Sequence, residues 1–250
     1  MTQTQQISQE LRSLGVREGG VLLVHSSLSA LGHVDGGPET VVQALLDALG
    51  PEGTLLMPAL SYITVTRRVP TFDVRYTPSC IGAIPEYFRT RPGTRRSVHP
   101  THSVCAVGPM TGALLDDHPL DDTPCGPHSP FHKLRDVGGQ LLMLGCGLRP
   151  NTSMHAIEQL IEPPYLYSDP ITYQLTHADG HVTTKTYRPH GFRYYDQRYD
   201  RVADVMDEPA LHRGYVLAAE AYLIDVPALW GGVLARMRND PLYFVEVLRG

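Results

Sequence analysis

The chain has 250 residues, with 21 Lys and Arg against 26 Asp and Glu for a formal net charge of −5; so mild an acidity argues against a nucleic-acid binder, which concentrates basic residues. Apolar residues make up 42% and charged ones 19%, a globular rather than disordered composition, and no apolar stretch approaches the roughly 20 residues of a membrane span. The cysteines at 80, 105, 125 and 146 never form CxxC, and the amino terminus MTQTQQISQELRSLGV lacks the basic start and apolar middle of a secretory signal, so reduced thiols and a cytoplasmic location are expected.

An amphipathic segment from Gln5 to Leu14 ends at Gly15, and Val21 to Val24 is a short apolar run of the kind a buried strand shows. From Pro38 the apolar residues Val41, Val42, Leu45, Leu46 and Leu49 recur at helical spacing until Gly50-Pro51. Thr54 to Met57 then reads as a second strand. The alternation continues with a helix inside Ser79 to Thr90, starting near Gly82 so that Pro85 falls in its first turn. Next come a strand at Val104 to Val107, a Pro130-started helix to Val137, a strand at Gln140 to Leu144 and a helix from Thr152 to Glu162. After Pro170, Thr172 to Thr176 and His181 to Tyr187 flank Asp179-Gly180, a hairpin signal. Asp225 with Pro227 opens a last helix toward Arg238, and Leu242 to Val247 reads as a closing strand. The expected fold is a three-layer α/β/α sandwich with a mixed sheet and an antiparallel C-terminal extension. No linker or repeat divides the chain, so a single domain over 1–250 is expected, with the motifs in 1–162 and an acceptor-side extension in 163–250.

In α/β sheets, sites gather where strands end and loops or helix amino termini begin. Four segments qualify. His25-Ser26-Ser27-Leu28, followed by Gly32 and Gly36-Gly37, ends a strand among small residues whose backbone N–H groups suit phosphate or a pantetheine amide; an ordinary cap and loop explain it equally well. Arg95-Arg96-Ser97-Val98-His99-Pro100-Thr101-His102-Ser103 joins arginine forks with hydroxyls, again suited to phosphate. His99 and His102 also have metal-ligand spacing, but no third ligand accompanies them and no metal is expected. In the third segment, Gly145 to Glu158, Asn151 or Thr152 caps a helix that places His155 and Glu158 three residues apart on one face. A histidine oriented by a carboxylate is what a general base needs, although a solvated surface pair has the same spacing. The fourth segment, Asp116 to His132, is rich in His and Asp, but Ser129-Pro130 is accounted for by helix capping and no catalytic role is assigned there.

Together, LLVHSSLSALGHVDGGPETVVQALLDALGPEGTLLMPA, then FD with TPSCIGAIPEYFRTRPGTRRSVHPTHSVCAVGP, then SPFHKLRDVGGQLLMLGCGLRPNTSMHAIE, resemble the aminoglycoside 3-N-acetyltransferase family from Gln6 to Leu160, and more loosely to the carboxyl terminus. This is an antibiotic N-acetyltransferase fold distinct from the GNAT acyltransferases. The resemblance implies direct acetyl transfer from acetyl-CoA to an aminoglycoside amine at the 3-N position of 2-deoxystreptamine, conferring resistance. It maps the catalytic base to His155 and its carboxylate partner to Glu158, with His25 as a further catalytic candidate. The coenzyme A side would be lined by His25, Ser26, Ser27, Leu28, Arg95, Ser97, His99, His102 and Ser103, with backbone N–H groups near the serines stabilising an oxyanion. For the acceptor amine, Asp73, Tyr62, Asp196 and Glu158 are the expected contacts. Implied partners are coenzyme A and a small-molecule amine, with no nucleic acid and no membrane; a homodimer is left open.

Two segments point elsewhere. Ala59 to Pro78 carries Arg67, Arg68 and Arg75 against Asp73, and Lys185 to Arg201 carries five basic residues against Asp196 and Asp200. Both suit an acidic acceptor or the phosphates of coenzyme A better than a polycationic drug, and HPTHS stands where the resistance enzymes resemble HPDAS. Same-fold acyl transfer to a non-aminoglycoside amine in biosynthesis therefore stays open, as does a metal-dependent hydrolase or a non-catalytic binding protein. Cys146 at a strand end is an alternative nucleophile.

Overall fold

Thr2 opens the first helix through a reciprocal capping box with Gln5, and Gly15, at φ 108°, closes it in the left-handed region. This is the opening of a computed structural model that describes residues 1–248. Helix α1 (Gln3–Leu14) leads to β1 (Val21–Ser26), α2 (Pro38–Leu49) and β2 (Thr54–Pro58). A short β3 (Thr71–Asp73) precedes α3 (Ala83–Thr90), whose Pro85 lies in the first turn, then β4 (Arg95–Arg96), β5 (Val104–Val107) and α4 (Thr111–Leu115). The chain continues through α5 (Pro130–Asp136), capped by Ser129, to β6 (Gln140–Leu144) and α6 (Met154–Glu158).

The strands β1, β2 and β6 are buried at nearly every position and pair in parallel, β1 between the other two. Their side chains alternate between two cores, as period-two strands require. Leu22, Val24, Leu55, Met57, Leu142 and Leu144 pack with Ile7 and Leu11 of α1 and Val41, Val42 and Leu45 of α2. Val21, Leu23, Leu56, Leu141 and Met143 face Phe131 and Leu134 of α5 and Ile157 of α6. Helices cover both faces, giving the expected three layers. The full sheet has seven strands in the order β10 (Leu211–Val216), β11 (Ala219–Asp225), β6, β1, β2, β5, β4 and is mixed.

Three expectations need correction. The hairpin after Pro170 forms, as β7 (Ile171–Thr176) and β8 (Val182–Tyr187), but it pairs with β3 in a separate three-stranded sheet. The antiparallel extension of the main sheet is instead β10 (Leu211–Val216) and β11 (Ala219–Asp225), with β11 against β6. Their tight turn places Leu217 at φ 49°, a position that Gly or Asn ordinarily marks, so no turn signal announces the hairpin. The helix expected over 152–162 shrinks to Met154–Glu158, because Pro163 disfavours helical backbone at Glu162, which sits at φ 46°. Last, α7 (Val226–Asn239), capped by Asp225, adds Leu229, Trp230 and Val233 to the α5/α6 side of the core. The closing strand is only β12 (Val245–Val247) and pairs with β9 (Tyr195–Gln197), not with the main sheet. Among the described residues, no helix is long and apolar enough to cross a membrane.

Candidate active site

Beyond the carboxyl ends of β1, β2 and β6 lies a cavity of about 660 Å³, the place where open α/β sheets bind ligands. Gly145, at the end of β6, makes the turn possible: it has φ 73°, and a Cβ there would stand 2.6 Å from Ala30 Cβ. The cavity wall includes His25 and Ser26 from β1, Tyr62, His102, Cys146, Asn151 and Thr152, His155 from α6, and His190 and Tyr199 from the later chain.

Helix α6 supplies the central pair. His155 Nδ1 lies 2.8 Å from Glu158 Oε2, one turn on. Glu158 is fully buried, with no solvent-facing surface, and a buried carboxylate must be hydrogen-bonded to be tolerated. Tyr199 donates to the same oxygen at 2.8 Å and Tyr165 donates to Oε1 at 2.9 Å. Burial, then the adjacent Glu158 charge, pushes both phenols well above the usual tyrosine range, so they remain donors. This network places the imidazole proton on Nδ1, facing the carboxylate, and leaves Nε2 as the nitrogen with a free lone pair. His155 lines the cavity. The arrangement can accept a proton from a group in the cavity and hold the resulting imidazolium against Glu158.

His25 reaches the cavity from the end of β1, and burial, followed by the nearby His155, lowers its pKa to about 3. It is therefore neutral at physiological pH, as are His102 and His190, which burial also drives well below the usual histidine value. Ser26 Oγ, His25 Nε2 and Asn151 Nδ2 are buried polar atoms without a hydrogen-bond partner among the described residues, and all three residues lie on the cavity wall.

Of the residues expected on the coenzyme A side, His25, Ser26 and His102 line this cavity, and Ser27, Leu28, Arg95, Ser97, His99 and Ser103 do not. Local structure accounts for the latter. Ser97 Oγ accepts from Val104 N at 2.9 Å and contacts His118 Nδ1 at 2.8 Å. His99 Nδ1 accepts from the backbone of Thr101 and His102, and its ring stacks on His118. Ser103 donates to Ala59 O and accepts from Arg96. Arg95 is paired with Asp116 on the surface. Ser27 Oγ bonds Ser29 Oγ while its backbone N–H donates to Leu144 O at 2.9 Å, so that N–H is spent and cannot serve an oxyanion. Leu28 packs against the α1/α2 core.

On the acceptor side, Tyr62 lines the cavity. Glu158 does not, because it lies behind His155 with both oxygens engaged. Asp73 caps its own turn, accepting from the N–H groups of Arg75 and Tyr76. Asp196 is tied to Arg149, although its neighbour Gln197 reaches the wall. Most of the basic side chains in the two segments are likewise engaged within the fold, while Arg68 and Arg193 are exposed. Arg67 donates to the carbonyls of Asp169 and Pro170, Arg75 pairs with Asp73, Arg188 with Glu162, and Arg198 and Arg201 with Glu246. Lys185 donates to Pro119 O. No Asp, Glu, Lys or Arg is among the residues that line the cavity.

Sequence reasoning missed Tyr199, Tyr165 and His190. The first two complete the Glu158 network from segments 41 and 7 residues away in sequence. Their only signal was the aromatic density of Tyr194-Tyr195 and Tyr199, which has no period. His190 lies in the loop after β8, its ring centroid 4.0 Å from that of His155.

A sequence model described as aminoglycoside 3-N-acetyltransferase matches residues 23–238. Aminoglycoside N(3)-acetyltransferase IV of Salmonella sp is 32% identical over 244 residues, which cover 96% of this chain and 89% of that protein. Aminoglycoside N(3)-acetyltransferase VIII of Streptomyces fradiae is 37% identical over 184 residues, 65% of this chain, and the chain spans 64% of that relative's length. Among solved structures, a variant of aminoglycoside acetyltransferase AAC(3)-IVa in complex with gentamicin superposes with a TM-score of 0.83 at 30% identity, covering 97% of this chain and 91% of that one. The binary complex of AAC-IIIb with CoASH superposes with a TM-score of 0.82 at 27% identity, covering 96% and 97%.

Proposed function

Because this chain belongs to the aminoglycoside 3-N-acetyltransferase family, we propose that it transfers the acetyl group of acetyl-CoA directly to an amine, with the 3-amino group of a 2-deoxystreptamine aminoglycoside as acceptor and resistance as the consequence. The observation that carries this reading is the buried His155–Glu158 pair, 2.8 Å apart, whose histidine lines a cavity at the strand ends. Acetyl-CoA supplies an activated thioester, and the relative bound to CoASH supports its use. His155 Nε2 takes the proton of the attacking amine as the N–C bond forms, Glu158, held by Tyr165 and Tyr199, stabilises the imidazolium, and the proton passes to the coenzyme A sulfur as the C–S bond breaks and the thiol leaves. The unpartnered Ser26 Oγ and Asn151 Nδ2 suit the amide groups of a pantetheine arm, whose hydrogen bonds would satisfy them. His25, kept neutral, contributes a hydrogen bond rather than a charge.

The thiol alternative is weak. Burial raises the Cys146 pKa to about 11, so almost no thiolate forms near neutral pH. Cys146→Ala is expected to keep most of the wild-type rate in an acetyl-CoA turnover assay; a loss as deep as that of His155→Ala would require an acyl-enzyme.

One observation favours a second reading of the acceptor. Aminoglycosides are polycations, and a site for one should present carboxylates, yet none lines the cavity. Most of the arginines that suggested an anionic acceptor are engaged elsewhere and none lines the cavity, so that expectation gains no support there. An amine carrying a single charge fits the neutral wall better. Thiol release from acetyl-CoA, measured with a 2-deoxystreptamine aminoglycoside panel and with singly charged amines, separates the two. Turnover of the drugs supports the first reading, and turnover confined to the small amines supports the second. Thiol release with neither amine acetylated would contradict both.

A further inference from the structure

We propose that His102, His155 and His190 form a binding site for a transition-metal dication of the zinc type, and that its occupancy shuts off acetyl transfer by taking the lone pair of the base. One ring nitrogen from each of the three residues lies within 4.8 Å of the other two. They converge from three separate parts of the fold: the loop between β4 and β5, helix α6, and the loop after β8. Ring centroids are 4.0 Å apart for His155 and His190, 4.8 Å for His102 and His190, and 6.2 Å for His102 and His155.

The surroundings of the rings resemble those of a metal centre more than those of a packed core. Metal-bound histidines are oriented by a carboxylate or hydroxyl on the nitrogen that does not bind. His155 Nδ1 has Glu158 at 2.8 Å, and His102 Nδ1 has the Thr101 hydroxyl at 2.8 Å. Both Nε2 atoms are thereby left for a ligand, and no hydrogen bond among the described residues engages either ring nitrogen of His190. Other histidines here are used differently: His99 and His118 are bonded to backbone or Ser97 and stacked on each other. No lysine or arginine lines the cavity to repel a dication.

Zinc bound to three imidazoles at 2.0 to 2.1 Å requires nitrogen separations of about 3.3 Å. A spacing of up to 4.8 Å closes to that with a shift of about 1 Å by each ring. The fourth position faces the cavity, as in three-histidine sites that keep water or substrate. Binding itself is independent of the proposed reaction; the inhibition rests on the acetyltransferase reading above, because it needs His155 to be the base.

The test uses the full-length chain, freed of metal with a chelator. Titration with ZnCl2 by calorimetry, and with CoCl2 followed by its visible d–d bands, reads binding without any activity. One equivalent of Zn2+ is expected, with a tetrahedral Co2+ spectrum, and His102→Ala and His190→Ala should each weaken binding at least about ten-fold. Far-UV circular dichroism and the thermal midpoint establish that each variant is folded, and His190→Gln serves if His190→Ala is not. No binding, or one-equivalent binding unchanged in both variants, overturns the site. In the turnover assay, stoichiometric Zn2+ should suppress thiol release and EDTA should restore it. Undiminished transfer with the site filled overturns the inhibitory role. A chain that binds Zn2+ as described but turns over no amine would leave the site standing and count against the acetyltransferase reading instead.

Discussion

Replacing His155 by alanine is expected to lower kcat for acetyl transfer by roughly 100- to 10,000-fold, the span that a positioned general base contributes, while the Kd for acetyl-CoA stays close to wild type. Among the described residues, the His155 ring is the one titratable group that the Glu158 network both orients and stabilises when charged. In the proposed mechanism Glu158 acts through His155 as a positioning residue, so its variants should separate kcat from binding. Glu158→Gln keeps the volume and one acceptor for Tyr165 or Tyr199 but removes the charge that faces the imidazolium; kcat should fall by roughly 100-fold with acetyl-CoA binding retained. Glu158→Ala should in addition cost roughly 1 to 3 kcal/mol of stability, because two buried phenols and His155 Nδ1 lose their acceptor. If both Glu158 variants lose stability but keep kcat, the carboxylate is structural and the proposed role is wrong.

Acid sensitivity is the second large effect. Burial, then coupling to His155, lowers the His25 pKa to about 3. Burial, partly opposed by a hydrogen bond with Pro124 and reinforced by Lys133 and Lys185, lowers that of His118 to about 3. In the unfolded chain each returns to about 6.5. Between those values the unfolded state holds a proton that the folded state refuses, so stability is fully present above pH 6.5 and declines as pH falls toward 3. Each histidine contributes about 1.4 kcal/mol per pH unit in that window, so His25 and His118 together remove about 4 kcal/mol by pH 5, a large part of an ordinary domain's stability. His99, His102 and His190, shifted the same way by burial, steepen the loss. Urea midpoints measured from pH 8 to pH 5 should hold nearly level to about 6.5 and then drop steeply. A flat profile through pH 5 would mean that these rings are not buried as described.

The sequence made the central fold legible where local signals and tertiary packing agree. Pro38 and Gly50 bracket α2 because one fits a first helical turn and the other stops it, and the apolar runs of β1, β2 and β6 match strands buried on both faces. Signals failed where the chain departs from ordinary turn chemistry, as at Leu217 between β10 and β11 and at Glu162 before Pro163. The His155–Glu158 pair was legible because both residues sit on one short helix. Tyr165, Tyr199 and His190 were not, since only tertiary folding brings them to that helix. Ser97, His99 and Ser103 show the converse: in sequence, a buried histidine or serine that satisfies backbone groups looks like one that binds a ligand. The pairing within the arginine-rich segments was not legible for a related reason, because partners such as Glu246 of Arg198 and Glu162 of Arg188 lie 48 and 26 residues away.

The most direct measurement of the central claim is a single turnover with acetyl-labelled acetyl-CoA, the chain in slight excess and an acceptor amine drawn from the panel, with amine, acetate and intact protein all resolved by mass spectrometry. Direct transfer by the His155–Glu158 pair predicts the label on the amine, no labelled protein at any time, and product formation slowed by roughly 100-fold or more with His155→Ala. Label that passes through the protein before reaching the amine, or that leaves as free acetate, would contradict it.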